Sequence, residues 1–239
     1  MSWLLLDTAL PRAVVAVVDR DGTVKSEILL DETRRHAERL SSAVDDALAA
    51  AGVDVKGLAG IGVGVGPGSF IGVRTGLSFA RGLGAGIGVD VVGIDGLLAL
   101  YGSVDVDGDA IVVVDARRGE RYLGTVGVVD GALRLKSAIV AVGNEAVDAG
   151  GASVAIGAVD ELQWPATVTT VSLPGPTARG LWRGLTTALA TRAAGSRAAP
   201  LPVYVRGADA KLPTVDPAAR RAAVLAELDD HDGVKGPDA

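Results

Sequence analysis

Two carboxylates at the ends of apolar runs, a glycine-rich loop and one internal histidine are the residues whose types and spacing could do chemistry in this chain. Asp7 closes the run Leu4 to Leu6, and Asp115 closes the run Ala110 to Val114. A carboxylate at a strand exit can meet a metal-bound phosphate; the plainer alternative is that it caps a turn. Gly62, Gly64, Gly66 and Gly68 alternate with other residues around Pro67, just before a helical pattern. Unpaired amides at a helix N-terminus favour an anion, and glycines let it come close. Gly66, Gly68, Ser69, Asp7 and Asp115 are therefore candidate nucleotide or anion positions. The same glycines would equally make a tight turn that lets the next helix lie close on a sheet. The well-known phosphate motifs do not fit. The dinucleotide fingerprint from Gly64 needs a glycine where Ser69 stands, and from Gly62 it meets Pro67. No lysine lies between Lys56 and Lys136 to serve a Walker A loop. A nucleophile elbow at Ser69 would need glycines in place of Pro67 and Ile71. Ser69 reads more simply as a helix N-cap.

The elements that must position these groups follow from periodicity. Trp3 to Thr8, Ala13 to Asp19 and Val24 to Leu30 read as strands, with Asp21-Gly22 as a hairpin turn between the second and third. Ala37, Leu40, Val44, Ala47, Leu48 and Ala51 recur at helical steps, and Gly52 stops them. Leu58 to Val65 is a buried strand, followed by a helix from Phe70 to about Gly86, a strand Val89 to Ile94 and a short helix to about Tyr101. From Asp109 the pattern restarts. A shift of 108 residues places Asp115 on Asp7 and Tyr122–Val126 on Val14–Val18, with Asp130-Gly131 one place from the repeat of the first turn. The second half is weaker: strands near Val154 to Ile156 and Thr167 to Val171, then a helix from Thr177 to Ala194. Gly150-Gly151, Pro174 to Pro176 and Pro200 to Pro202 are breaks. These readings divide the chain into a first lobe, residues 1–104, a smaller second lobe, 105–213, and a C-terminal helix (Asp216 to Leu228) with a flexible tail, 214–239. A repeated strand-strand-strand-helix-strand-helix unit is the plan of the actin-like, RNase H-like folds. The expected class is α/β, with duplicated mixed sheets, helices on both faces and a reduced second lobe.

Composition narrows the function. The chain has 239 residues, a formal net charge of −6 and no cysteine. Disulfides, thiolate catalysis and zinc knuckles are thereby excluded. An acidic chain is a poor nucleic-acid-binding surface by itself, so a nucleic-acid role would be indirect, through a basic partner. No signal-peptide pattern precedes Asp7, and no apolar run reaches the roughly 20 residues of a membrane helix. The expectation is a soluble, cytoplasmic protein with no membrane contact.

Along the helix after the loop, Gly68, Gly72, Gly76, Ala80, Gly84 and Gly88 fall at four-residue steps and form one ridge almost without side chains. Each glycine costs about 1 kcal/mol of helix stability relative to alanine, so a backbone must come very near. That backbone belongs either to the chain's own sheet or to a partner helix. The partner reading makes Gly72, Gly76, Ala80 and Gly84 an interface. Arg74, on the first turns, suits a bidentate contact that closes the loop or crosses the interface. Arg117, Arg118 and Arg121 with Glu120 read as a solvated hairpin tip, with an anion or nucleic-acid contact as the alternative.

Three strings carry a family resemblance: Leu4-Leu-Leu-Asp-Thr-Ala9, Gly64-Val-Gly-Pro-Gly-Ser-Phe-Ile-Gly-Val-Arg-Thr-Gly76 and Asp115-Ala-Arg-Arg-Gly-Glu-Arg-Tyr122, with Pro202-Val-Tyr-Val-Arg206 at the close. Together they resemble the TsaB family, over about residues 2 to 213 and loosely between 132 and 199. The resemblance implies a non-catalytic subunit that pairs through its first-lobe helices with its catalytic paralogue TsaD, joined by the ATPase TsaE. TsaD transfers threonylcarbamoyl from its adenylate to the tRNA adenosine beside the anticodon. It also implies a homodimer through the same surface when the partner is absent. Nucleotide (ATP or ADP) with Mg would be shared at the interface rather than bound tightly by this chain. TsaD holds its metal with two histidines one helical turn apart. Here His36 is followed by Leu40 at that spacing, and the other histidine is His231. Metal binding is not expected, and His36 and Leu40 are placed at the partner contact. The competing readings are a stand-alone actin-like kinase or ATPase using Asp7, and a metallopeptidase.

Overall fold

Strict alternation in the first strands decides which side chains face which layer. The computed structural model describes residues 1–31, 36–117, 119–143, 147–193 and 198–205; of His36 only the backbone is described. In β1 (Ser2–Asp7), Leu4 and Leu6 point to one side and Leu5 to the other, all without solvent contact. β2 (Ala13–Asp19) and β3 (Val24–Leu30) continue antiparallel from it, Asp7 standing opposite Val14. β4 (Leu58–Gly64) and β5 (Val91–Ile94) add in parallel, giving a five-stranded sheet in the order β3-β2-β1-β4-β5. Leu4, Leu6, Val15 and Val17 pack under α1 (His36–Ala51) and α2 (Phe70–Ile87). Leu5, Val14, Ala16 and Val18 pack on the opposite face against Leu181 and Leu185 of α4 (Ala178–Thr191). Each of those fully buried leucines contributes about 2 kcal/mol of transfer free energy.

The second sheet repeats this plan. β6 (Ala110–Arg117), β7 (Glu120–Val129) and β8 (Ala132–Leu135) form an antiparallel meander, and β10 (Val154–Gly157) and β11 (Thr169–Ser172) extend it in parallel beside β6. The order β8-β7-β6-β10-β11 matches β3-β2-β1-β4-β5 strand for strand, with a short extra strand, β9 (Val140–Val142), paired to β7. Asp130 and Gly131 both take positive φ, 51° and 77°, at the β7–β8 turn, which is the geometry of a two-residue hairpin of right-handed twist. The reduction of this half is specific. Among the described residues, no helix joins β8 to β10 or β10 to β11, so its outer face is covered by irregular chain through Val147, Val159, Leu162 and Trp164.

The last helix of each half crosses over. α3 (Gly96–Gly102) follows the first sheet but packs on β6, β7, β8 and β10; α4 follows the second sheet but packs mainly on β5, β2 and β1, touching its own sheet at β8. The two helices meet at glycines: a Cβ on Gly180 would overlap the Ala99 carbonyl and Ser103 Oγ. Residues 1–205 consequently form one unit, and a boundary at 104/105 separates the sheets but not the helices. The expected helix Asp216–Leu228, the tail and the remainder of 206–239 lie outside the described residues.

Candidate functional site

The loop that joins β4 to α2 is tied down entirely by this chain. Ser69 caps α2, its Oγ accepting from the Gly72 amide at 3.3 Å, as the sequence suggested. Its own amide, however, donates to the Ala9 carbonyl at 2.7 Å, and the Gly66 carbonyl accepts from Gly96 at 2.8 Å. A Cβ at Gly68 would lie 2.5 Å from the Ala9 oxygen. The carbonyl of Ala9 therefore occupies the approach that an anion would need. These residues do not fit a phosphate group, and the reading of Gly66, Gly68 and Ser69 as a cradle is corrected to a turn that docks the β1–β2 connection.

The glycine ridge of α2 meets the same connection. A Cβ on Gly72 would overlap the Thr8 carbonyl oxygen, and one on Gly76 would lie 2.6 Å from Thr8 Oγ1. Thr8 Oγ1 donates to the Gly72 carbonyl at 2.7 Å. Ala80 has no solvent contact, and Gly84 packs against Val91 and the Val89 carbonyl. The backbone that the bare ridge admits is thus the chain's own. Gly72, Gly76, Ala80 and Gly84 face inward, and the expectation that this ridge is open to a partner is overturned.

The opposite face of α2 is the uncovered one. Phe70 is 51% exposed and Ile71 75%, large values for apolar side chains. Gly82 and Gly86 lie on this side, with open space where a Cβ would stand. Between α1 and α2 runs an open groove of about 580 Å³, floored by Leu40 and lined by Ala37, Ile71, Thr75 and Phe79. Leu40 is itself buried, so it contributes to the floor rather than the rim. His36 opens α1 at the end of the groove-lining helix, and its side chain lies outside the described residues. Arg74 stands at the rim, its guanidinium carbon 3.8 Å from the centre of the Phe70 ring. Its Nε donates to the hydroxyl of Tyr204, 130 residues later, at 3.1 Å.

Asp7 is wholly buried. Its Oδ1 accepts from the Ala9 amide at 2.9 Å, while Oδ2 has no hydrogen-bond partner and lies against Gly64, where any Cβ would overlap it. Desolvation outweighs the amide bonds from Ala9 and Leu10 and raises its pKa to about 6. Asp115 lines a different space, a cavity of about 230 Å³ shared with Leu10, Pro11, Arg121, Gly157 and Ser172. Asp7 is not among the residues of that cavity, so the two carboxylates are not brought together in it. Arg121 is buried beside Asp115, 3.4 Å from its Oδ1 and ion-paired to Glu161, which corrects its placement at a solvated tip. Arg117 is at the exposed end of the hairpin with φ of 66°, and Arg118 lies outside the described residues. Among the described residues, no three His, Asp or Glu side chains gather to hold a metal ion, and no helix is long and apolar enough to cross a membrane.

The sequence missed Tyr204 because no local pattern ties it to Arg74; the closing Pro-Val-Tyr-Val-Arg string was its only signal.

Comparison with known proteins sets this geometry in a family. Residues 25–191 match the sequence model of the family described as tRNA N6-adenosine threonylcarbamoyltransferase, TsaD. The tRNA threonylcarbamoyladenosine biosynthesis protein TsaB of Escherichia coli is 35% identical over 125 residues, covering 51% of this chain and 53% of that protein. Its Haemophilus influenzae counterpart is 31% identical over 129 residues, covering 53% and 54%. The chain thus spans about half the length of the curated relatives it matches. The solved structure of YeaZ from Pseudomonas aeruginosa superposes with a TM-score of 0.72 at 27% identity, covering 85% of this chain and 99% of that one. With the doubled 3-2-1-4-5 sheet and the exchanged helices already in view, these matches place the chain in the TsaD family, on its TsaB/YeaZ branch.

Proposed function

We propose that this chain is a non-catalytic subunit of the apparatus that makes threonylcarbamoyladenosine in tRNA, docking on the catalytic TsaD-type transferase and activating it. The observation that carries the reading is the groove between α1 and α2. It is apolar, open, and flanked by Phe70 and Ile71, which a lone protein has no reason to leave in water together. The relatives' names support the pathway, and the inward glycine ridge supports the surface. By holding α2 tightly on β1 and β4, it fixes the outer face as a rigid platform. The tRNA is met through the partner, consistent with a net charge of −6. The ATPase TsaE joins the same complex. Nucleotide and Mg belong to the assembled interface, since the loop at Gly66 to Ser69 does not fit a phosphate here. The same groove pairs two copies when the partner is absent, and the complex works in the cytoplasm.

The test is reconstitution of tRNA modification from purified TsaD-type transferase and TsaE of the same organism, with and without this chain. Modification is expected to depend on it. Ile71→Glu, which puts a charge into the groove without touching the core, is expected to abolish both co-purification with the transferase and the stimulation. Full stimulation by Ile71→Glu would sink the reading. Magnesium-dependent ATP turnover by the pure chain would favour the stand-alone kinase or ATPase instead.

A further inference from the structure

The groove between α1 and α2 carries one charged lining residue among the described ones, Arg74, and its surroundings fix that charge in an unusual way. The guanidinium carbon is held over the Phe70 ring, its Nε is occupied by the Tyr204 hydroxyl, and the Tyr204 ring in turn packs on Phe70, tilted by 33° with 5.6 Å between ring centres. Among the described residues neither Nη has a partner. Tyr204 is not a loose end. The segment that bears it is anchored by the Val203 amide on the Val65 carbonyl at 2.8 Å and by Arg81 on the Pro200 carbonyl. Two χ-restricted rings and a hydrogen bond thus orient an arginine whose outward donors remain open.

We infer that Arg74 is the polar hot spot of the docking groove, that it receives a carboxylate from an amphipathic helix of the TsaD-type partner, and that Tyr204 is the positioning residue that aims it. The inference rests on the docking reading above and adds the chemistry of the occupant. An apolar trough between two helices takes a third helix by its apolar stripe. A single fixed cation at its rim sets which end of that stripe must carry an acid. Arginine gives such a contact two parallel bonds, which lysine cannot.

The experiment is titration of the full chain with the purified TsaD-type transferase of the same organism, at low and high salt. Arg74→Gln is expected to weaken binding about thirtyfold and to remove most of the salt dependence that the unaltered chain shows. Arg74→Lys should recover the salt dependence but only part of the affinity. Tyr204→Phe, which keeps the ring and loses the hydroxyl, should weaken binding about threefold to tenfold with an unchanged unfolding midpoint. It should have no further effect in an Arg74→Gln background. Unchanged affinity and salt dependence in Arg74→Gln, while Ile71→Glu abolishes binding, would overturn the hot spot and leave the docking surface standing. Additive losses in the double variant would overturn the positioning role of Tyr204. Binding that survives Ile71→Glu would remove the docking reading itself, and this inference with it.

Discussion

Asp7 ends β1 beneath Gly64, with one oxygen held by the Ala9 amide and the other lacking a donor. Its folded pKa of about 6 lies above the ordinary 3.8, so the native state binds this proton more tightly than the unfolded chain does. Stability from this group is therefore fully present below about pH 4, falls as pH rises toward 6, and stays lost above it. The shift corresponds to about 3 kcal/mol. Asp7→Asn keeps the acceptor for Ala9 and removes the titration. In urea denaturation, the stability of the unaltered chain relative to Asp7→Asn should drop by about that amount between pH 4 and pH 7.5. Parallel pH profiles for the two proteins would exclude this role. At this scale the sequence was half legible. The position of Asp7 and Asp115 at strand ends followed from the apolar runs before them. Whether each carboxylate meets solvent or a buried wall depended on Gly64 in one case and on Arg121 in the other, and neither contact is local.

Helix α2 shows why a spacing can be right and its interpretation wrong. Four-residue steps from Gly68 to Gly84 required a close approach, and it is there: Thr8 and Ala9, some sixty residues earlier in the chain, meet Gly68, Gly72 and Gly76, and Val89 and Val91 meet Gly84. Periodicity identifies a face but not what covers it. The covering segment was concealed because nothing local ties Thr8 and Ala9, at the exit of the first strand, to a helix some sixty residues later. Substitutions separate the two faces. Gly72→Ala drives a methyl into the Thr8 carbonyl and should cost about 3 kcal/mol or more, seen as a lower denaturation midpoint. Gly82→Ala meets open space and should gain up to about 1 kcal/mol, seen as a higher one. The converse ranking would place the ridge outside after all. The strands of the first sheet were legible because alternation and an Asp-Gly turn delimit them. β8 and β9 were not, being four and three residues long and without a flanking signal strong enough to mark them.

On the scale of the whole molecule, the duplication was legible as a shift of 108 residues, and the two sheets do share one strand order. The exchange of α3 and α4 was not, because each helix carries an apolar stripe that would fit either sheet. That exchange predicts a single cooperative transition. Trp3 and Trp182 report on the first sheet and Trp164 on the outer face of the second. Variants retaining only Trp3 or only Trp164 should unfold at one midpoint, and Gly180→Val, which forces α3 and α4 apart, should lower both together. Two midpoints, or a shift in only one, would mean that the halves fold alone.

A chain cut in the link between α3 and β6 would give two pieces, each holding a helix that packs on the other piece's sheet. Neither fragment could cover both faces of its own sheet, yet a mixture of the two would have every surface it needs. In this respect the molecule is built like an exchanged dimer whose two protomers have been joined end to end. The halves differ, since among the described residues the second lacks the outer helices of the first, and the mutual loan of helices ties them together.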